Sequence, residues 1–139
     1  MTSFDLSRSY FLKATKRLKV LDVLIQEEAY SDVIREAQEI VELALKGALR
    51  LLGVEPPKIH DVGPLLVENR DRFPKPVAQN TPELARISKL PRREHELSFY
   101  GDIDLIPKEE YTAEDGRRAA RDARNVVVQI GTVFENSAP

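Results

Sequence analysis

The stretch from Tyr30 to Gly53 constrains this chain more than any other. Val33, Ala37, Ile40, Val41, Ala44, Ala48 and Leu51 recur at spacings of three and four, the period of one helical face. Ile34, Leu45 and Leu52 widen the stripe to an arc of roughly 140° at about 100° per residue, the width of a face that packs into a core. Glu36, Glu39, Glu42, Lys46 and Arg50 fall outside that arc. Gly53 can take the positive φ that closes a helix, and Pro56-Pro57 prevents continuation. The pattern predicts a helix over about 32–52 with Ser31 as its N-cap.

The flanking segments extend the same logic. Residues 3–28 carry Tyr10, Ala14, Leu18, Leu21 and Ile25 on one face with no Pro or Gly between them, which predicts a first long helix. Asp61 is expected to cap a short helix with Val62, Leu65 and Leu66, where Pro64 is tolerable in the first turn. The stretch Phe73 to Pro82, with three prolines, predicts a loop. Thr81-Pro82 reads as cap and first position of a fourth helix bearing Leu84, Ile87, Leu90 and Leu97. Pro91 is expected to kink or split it. An acidic loop follows from Gly101 to Tyr111. Thr112 and Asp115 have capping-box spacing before a last helix to about Glu135, whose stripe is Ala119, Ala123, Val126, Val127, Ile130, Val133 and Phe134. Nothing reads as a strand. The expectation is an all-α fold: an antiparallel up-and-down bundle of four long helices plus a short one, in one domain over 1–139, ordered from about 3 to about 135.

Composition narrows the classes of function. With 139 residues, 42% hydrophobic and 32% charged, the chain is long enough for a core and too apolar for disorder. A net charge of −2 makes the molecule as a whole no magnet for nucleic acid. The absence of cysteine excludes disulfides, thiolate zinc sites and a Cys nucleophile. No apolar run nears the ~20 residues that span a bilayer, and Met1 to Tyr10 has no apolar signal core. A cytoplasmic location is the default expectation. No Gly-rich phosphate loop, metal-spaced set or nucleophile motif is present, so neither cofactor nor metal is expected.

Charge is distributed unevenly. Arg8, Lys13, Lys16, Arg17 and Lys19 put five cations on the first helix, and Arg86, Lys89, Arg92 and Arg93 form a second basic cluster. Each is readable as a phosphate- or RNA-facing surface or as a solvated helix face with acidic neighbours. The first helix is better described by the solvated reading; the 86–93 cluster is balanced between the two. Arg117, Arg121 and Arg124 align opposite the last helix's apolar stripe and are explained by solvent. His95 shares a helical face with Arg92. A cation beside an imidazole can position a phosphate and move a proton, although a surface His in an ion-pair cluster is the commoner arrangement. His60, beside Asp61, fits capping or packing.

The segment YSDVIREAQEIVELALKGALRLLGVEPPKIHDVGPLL resembles the HEPN family, the higher-eukaryote and prokaryote nucleotide-binding domain. Tyr30, Ala37, Gln38, Glu42, Lys46, Leu49, Gly53 and His60-Asp61 carry the likeness. RREHELSFYGD and IPKEEYTAEDGRRAARDARNVV continue it, so it covers about Phe4 to Phe134. The resemblance implies an α-helical bundle that commonly forms homodimers and works around RNA and nucleotides. Many relatives pair with a minimal nucleotidyltransferase, often as toxin and antitoxin. Catalytic relatives are metal-independent ribonucleases with an Arg about one to two helical turns before a His. Here Arg92 and Arg93 stand too close to His95 for that pattern. The expected function is therefore a non-catalytic HEPN-like domain. It binds nucleotide or RNA phosphate through Arg86, Lys89, Arg92, Arg93 and Tyr100, or partners a nucleotidyltransferase. The alternatives are a divergent ribonuclease, with His95 as acid/base and Arg92 steadying the phosphorane, and a purely structural interaction module.

Overall fold

The computed structural model describes residues 3–56, 62–89 and 111–136. Among them every regular element is helical: α1 (Ser3–Gln26), α2 (Tyr30–Leu51), α3 (Gly63–Glu68), a 3-10 turn (Arg70–Arg72), α4 (Lys75–Gln79), α5 (residues 81–89) and α6 (Ala113–Asn136).

The chain direction follows from named contacts. Arg17 of α1 pairs with Glu36 of α2 at 2.7 Å, while Gly47, further along α2, lies against Ser7 and Phe11. The numbers rise in one helix as they fall in the other, so α1 and α2 are antiparallel. Phe11 stacks on Phe134 with ring centroids 4.8 Å apart, and Asp22 pairs with Arg124, so α6 runs antiparallel to α1. Asn80 meets Gln129 at 2.7 Å and Arg86 approaches Asp122 at 4.0 Å, so α5 is antiparallel to α6. The four directions alternate, as in an up-and-down bundle.

The core lies where the predicted stripes meet. Leu21, Ile34, Ile40, Leu45, Leu49, Leu66, Leu84 and Ile130 are fully buried. Side chains of this size each contribute about 1.5–3 kcal/mol on full burial. Ala37, Ala44, Ala48, Ala120 and Ala123 are buried among them; such small side chains let helices approach closely.

Helix ends show which local signals operate. Gly53, at φ 81°, closes α2. The Val54 N–H donates to Leu49 O and the Gly53 N–H to Arg50 O, each at 2.9 Å, the paired bonds of a Schellman ending. Glu28, at φ 56°, closes α1 in the same way: the Ala29 N–H reaches Leu24 O at 2.9 Å and the Glu28 N–H reaches Ile25 O at 3.0 Å. Thr112 and Asp115 form a reciprocal capping box, both bonds at 3.1 Å.

Five expectations are corrected. Ser31 does not cap α2: the Glu28 ending delivers the chain straight into the helix at Tyr30, Ala29 is the N-cap position, and Ser31 is buried within the first turn. The segment expected as a loop from Phe73 contains α4, because Pro76 sits in its first turn, where its missing N–H leaves no partner wanting. Thr81 does not cap α5. The first helical bond runs from the Leu84 N–H to Asn80 O at 3.0 Å, and the buried Thr81 hydroxyl donates to Ala78 O at 3.1 Å. Glu42, placed outside the core arc, is only 9% exposed; the Gln38 amide donates to it and Lys46 lies 3.7 Å away. The short elements are thus several, where one was expected. Asp61 and Pro91 lie outside the described residues, and the N-cap position of α3, expected at Asp61, is held by Val62.

Candidate functional site

Of the residues expected to hold phosphate, Arg86 and Lys89 are described. Arg92, Arg93, His95 and Tyr100 lie outside the described residues, as does His60. Arg86 and Lys89 sit three residues apart on α5, so their side chains leave the same side of the helix. Both are exposed. They form the rim of an open groove of about 600 Å³, walled by Gly63, Pro64, Val67 and the carboxylate-bearing Glu68 of α3 and by Pro82 and Ala85 of α5. Pro64 and Pro82 stand in the first turns of their helices, so each half of the groove begins with a rigid apolar ring.

The two cations are in different electrostatic states. Arg86 is held by Glu83, with Nε donating to Oε2 at 3.0 Å. That hydrogen bond raises the Arg86 pKa and holds the Glu83 carboxyl below its usual range. Asp122 reaches Arg86 from α6 at 4.0 Å. Burial pushes the Asp122 carboxyl up, more than the Arg86 charge pulls it down. Lys89 has no ion-pair partner among the described residues. A phosphate entering here would meet at Lys89 an ammonium with no ion pair among the described residues, at Arg86 a guanidinium shared with Glu83, and on the α3 wall the opposing charge of Glu68.

Sequence reasoning places Arg86 in the site but misses Glu83 and Asp122. The Glu83–Arg86 spacing is that of an ordinary i,i+3 ion pair and is readable in principle. Asp122 comes from a distant helix and leaves no local signal. The groove wall from α3 is equally hidden.

The other basic stripes are also placed. On α6, Arg124 pairs with Asp22, whereas Arg117 and Arg121 face solvent. On α1, Arg17 pairs with Glu36, whose carboxylate raises the arginine's pKa. Among the described residues no group of three or more His, Asp or Glu could hold a metal ion, and no helix is long and apolar enough to cross a membrane.

The model of one known family, the HEPN domain, matches residues 7–130 of the chain. Comparison with curated proteins found no match, and comparison with solved structures found none.

Proposed function

The chain belongs to the HEPN domain family, and from that premise we propose that it binds nucleotide or RNA phosphate without cleaving it, as a homodimer. The observation that carries the reading is the pairing of Arg86 and Lys89 at the rim of one groove, immediately ahead in sequence of Arg92 and Arg93. Arginine supplies planar, charge-assisted hydrogen bonds to phosphate oxygens, and lysine supplies a compact charge. The apolar part of the groove wall, Pro64, Val67, Pro82 and Ala85, offers a surface against which a base or ribose can pack, while Tyr100 stacks or donates a hydrogen bond. The absence of cleavage rests on sequence: no Arg stands at the family's spacing before either histidine.

The test is equilibrium binding of a labelled short RNA and of ATP, followed by anisotropy across a salt series. Affinity should fall with salt. The Arg92→Ala, Arg93→Ala double variant should bind more weakly. Its salt slope on single-stranded RNA should be shallower by about 0.7 for each phosphate it no longer neutralises. If neither affinity nor slope changes, the site is wrongly assigned. RNA cleavage in the presence of chelator, abolished by His95→Ala, would instead establish the ribonuclease alternative.

A further inference from the structure

Helix α1 carries apolar side chains on two faces. One face, with Ala14 and Leu21, is in the core. The other holds Leu12, Val20 and Val23, respectively 38%, 40% and 56% exposed. At about 100° per residue these three lie within an arc of roughly 80° and along about 16 Å of helix. Lone exposed aliphatics are ordinary, but a set at helical spacing is the pattern of a helix that packs against something.

Cations dominate the middle of the same face, with the acids Asp5 and Glu27 at its two ends. Lys16 and Lys19 fall inside or beside the aliphatic stripe, and Arg8 and Lys13 flank it. All four are exposed and none has an ion-pair partner among the described residues. Arg17, by contrast, points toward α2 and is neutralised by Glu36. All five α1 cations are solvated, as expected of such a face, and among the described residues Arg17 alone of them has an acidic partner.

We propose that this face of α1 docks an acidic helical surface of a partner protein, its aliphatics seated between Leu12, Val20 and Val23 and its carboxylates opposite Lys16, Lys19, Arg8 and Lys13. Charge complementarity selects this occupant. A two-fold pairing of the face with a second copy sets like surfaces together, and Lys16 and Lys19 would then meet cations. A nucleic-acid backbone would use the lysines but leave three aliphatics pressed against phosphate and sugar. A membrane-surface helix buries a broad apolar face, and the broad face of α1 is already in the core.

The experiment uses the full chain and a synthetic Glu-rich helical peptide with leucines at i, i+4, i+7 and i+11. A Lys-rich peptide of the same leucine spacing, a single-stranded RNA and vesicles of phosphatidylcholine with phosphatidylglycerol serve as contrasts. The Glu-rich peptide should bind and the Lys-rich one should not. Val20→Ser with Val23→Ser should weaken that binding at least tenfold, as should Lys16→Gln with Lys19→Gln. Both pairs are solvent-exposed, so circular dichroism and thermal midpoint should stay close to the parent's. Failure of the Glu-rich peptide to bind, or binding insensitive to the valine pair, overturns the proposal. So does RNA or vesicle binding that the lysine pair abolishes and the valine pair leaves intact, or a dimer that the valine pair dissociates in sedimentation. None of these substitutions touches Arg86 or Lys89, so the outcome is separable from that of the phosphate-binding test.

Discussion

Gly47 of α2 lies against the backbone of Ser7 in α1, so that a Cβ placed on Gly47 would stand 3.0 Å from the Ser7 carbonyl oxygen. The backbone nitrogen of Phe11 and Cβ of Tyr10 would both be 3.3 Å away. These are main-chain and near-main-chain atoms of a packed helix, and they have little freedom to retreat. Gly47→Val should therefore cost about 1–3 kcal/mol of stability, the usual penalty of overpacking, read as a lower urea midpoint with unchanged slope. Gly131 of α6 is the control: its nearest neighbour would be Phe11 Cζ at 3.5 Å, an ordinary contact. There Gly131→Ala should stabilise by up to about 1 kcal/mol through helix propensity alone.

The two Schellman endings predict opposite signs for opposite changes. Glu28 holds φ 56° with a Cβ that disfavours it, and Gly53 holds φ 81° without one. Left-handed backbone costs a non-glycine residue about 1–2 kcal/mol. Glu28→Gly should raise the thermal midpoint, less the extra unfolded-state entropy of glycine, and Gly53→Ala should lower it. Far-UV circular dichroism melts of the two variants against the parent would show this; a fall with Glu28→Gly would mean that the Glu28 side chain supports the turn in some other way.

The same two positions show what can be read from sequence. Gly53, followed by Pro56, announces its ending through residue type, and the box at Thr112 and Asp115 announces its helix start through spacing alone. These signals are local, and the structure repeats them. The stripes of α2 and α6 are local too. Glu28 carries no such mark, so sequence alone puts the start of α2 too late, at Ser31. Pro74 and Pro76 read as a loop because proline marks both turns and first helical turns, and only the fold decides between them. Burial of Glu42 depends on what packs beside α2, which periodicity within α2 cannot register. The groove at Arg86 is harder still, since it needs α3 and α5 side by side.

Asp122 gives a pH-dependent prediction. Burial raises its pKa in the folded protein despite Arg86 nearby. A carboxyl raised on folding favours the protonated native state, so its contribution to stability is greatest at low pH and declines as pH rises through the raised folded value. Asp122→Asn removes this titration. Relative to the parent, the variant should gain stability from acid toward neutral pH, with the difference levelling off once Asp122 is fully ionised. Urea midpoints measured in steps from acid to neutral would test the sign. A difference that shrinks over that range would mean that the attraction of Arg86 outweighs burial.

Glu83, outside the groove lining, would compete with a phosphate for Arg86 at the groove's rim. It holds Arg86 through two hydrogen bonds, and the stabilised ion pair keeps its carboxyl ionised below the ordinary range. A phosphate approaching Arg86 must displace or share this carboxylate and is repelled by its charge. Glu83→Gln removes the charge while keeping the shape. It should tighten binding of a short RNA or ATP several-fold at low salt and steepen the salt dependence, because Arg86 is then shared only with Asp122, 4.0 Å away. Glu83 and Arg86 are both about half exposed, so the effect on stability should be small. The Arg86→Gln variant should bind less tightly than the parent, and adding Glu83→Gln to it should recover only the part due to repulsion. If Glu83→Gln weakens binding, the pair acts as a unit that orients Arg86 toward the groove, and the carboxylate is a positioning residue instead of a competitor.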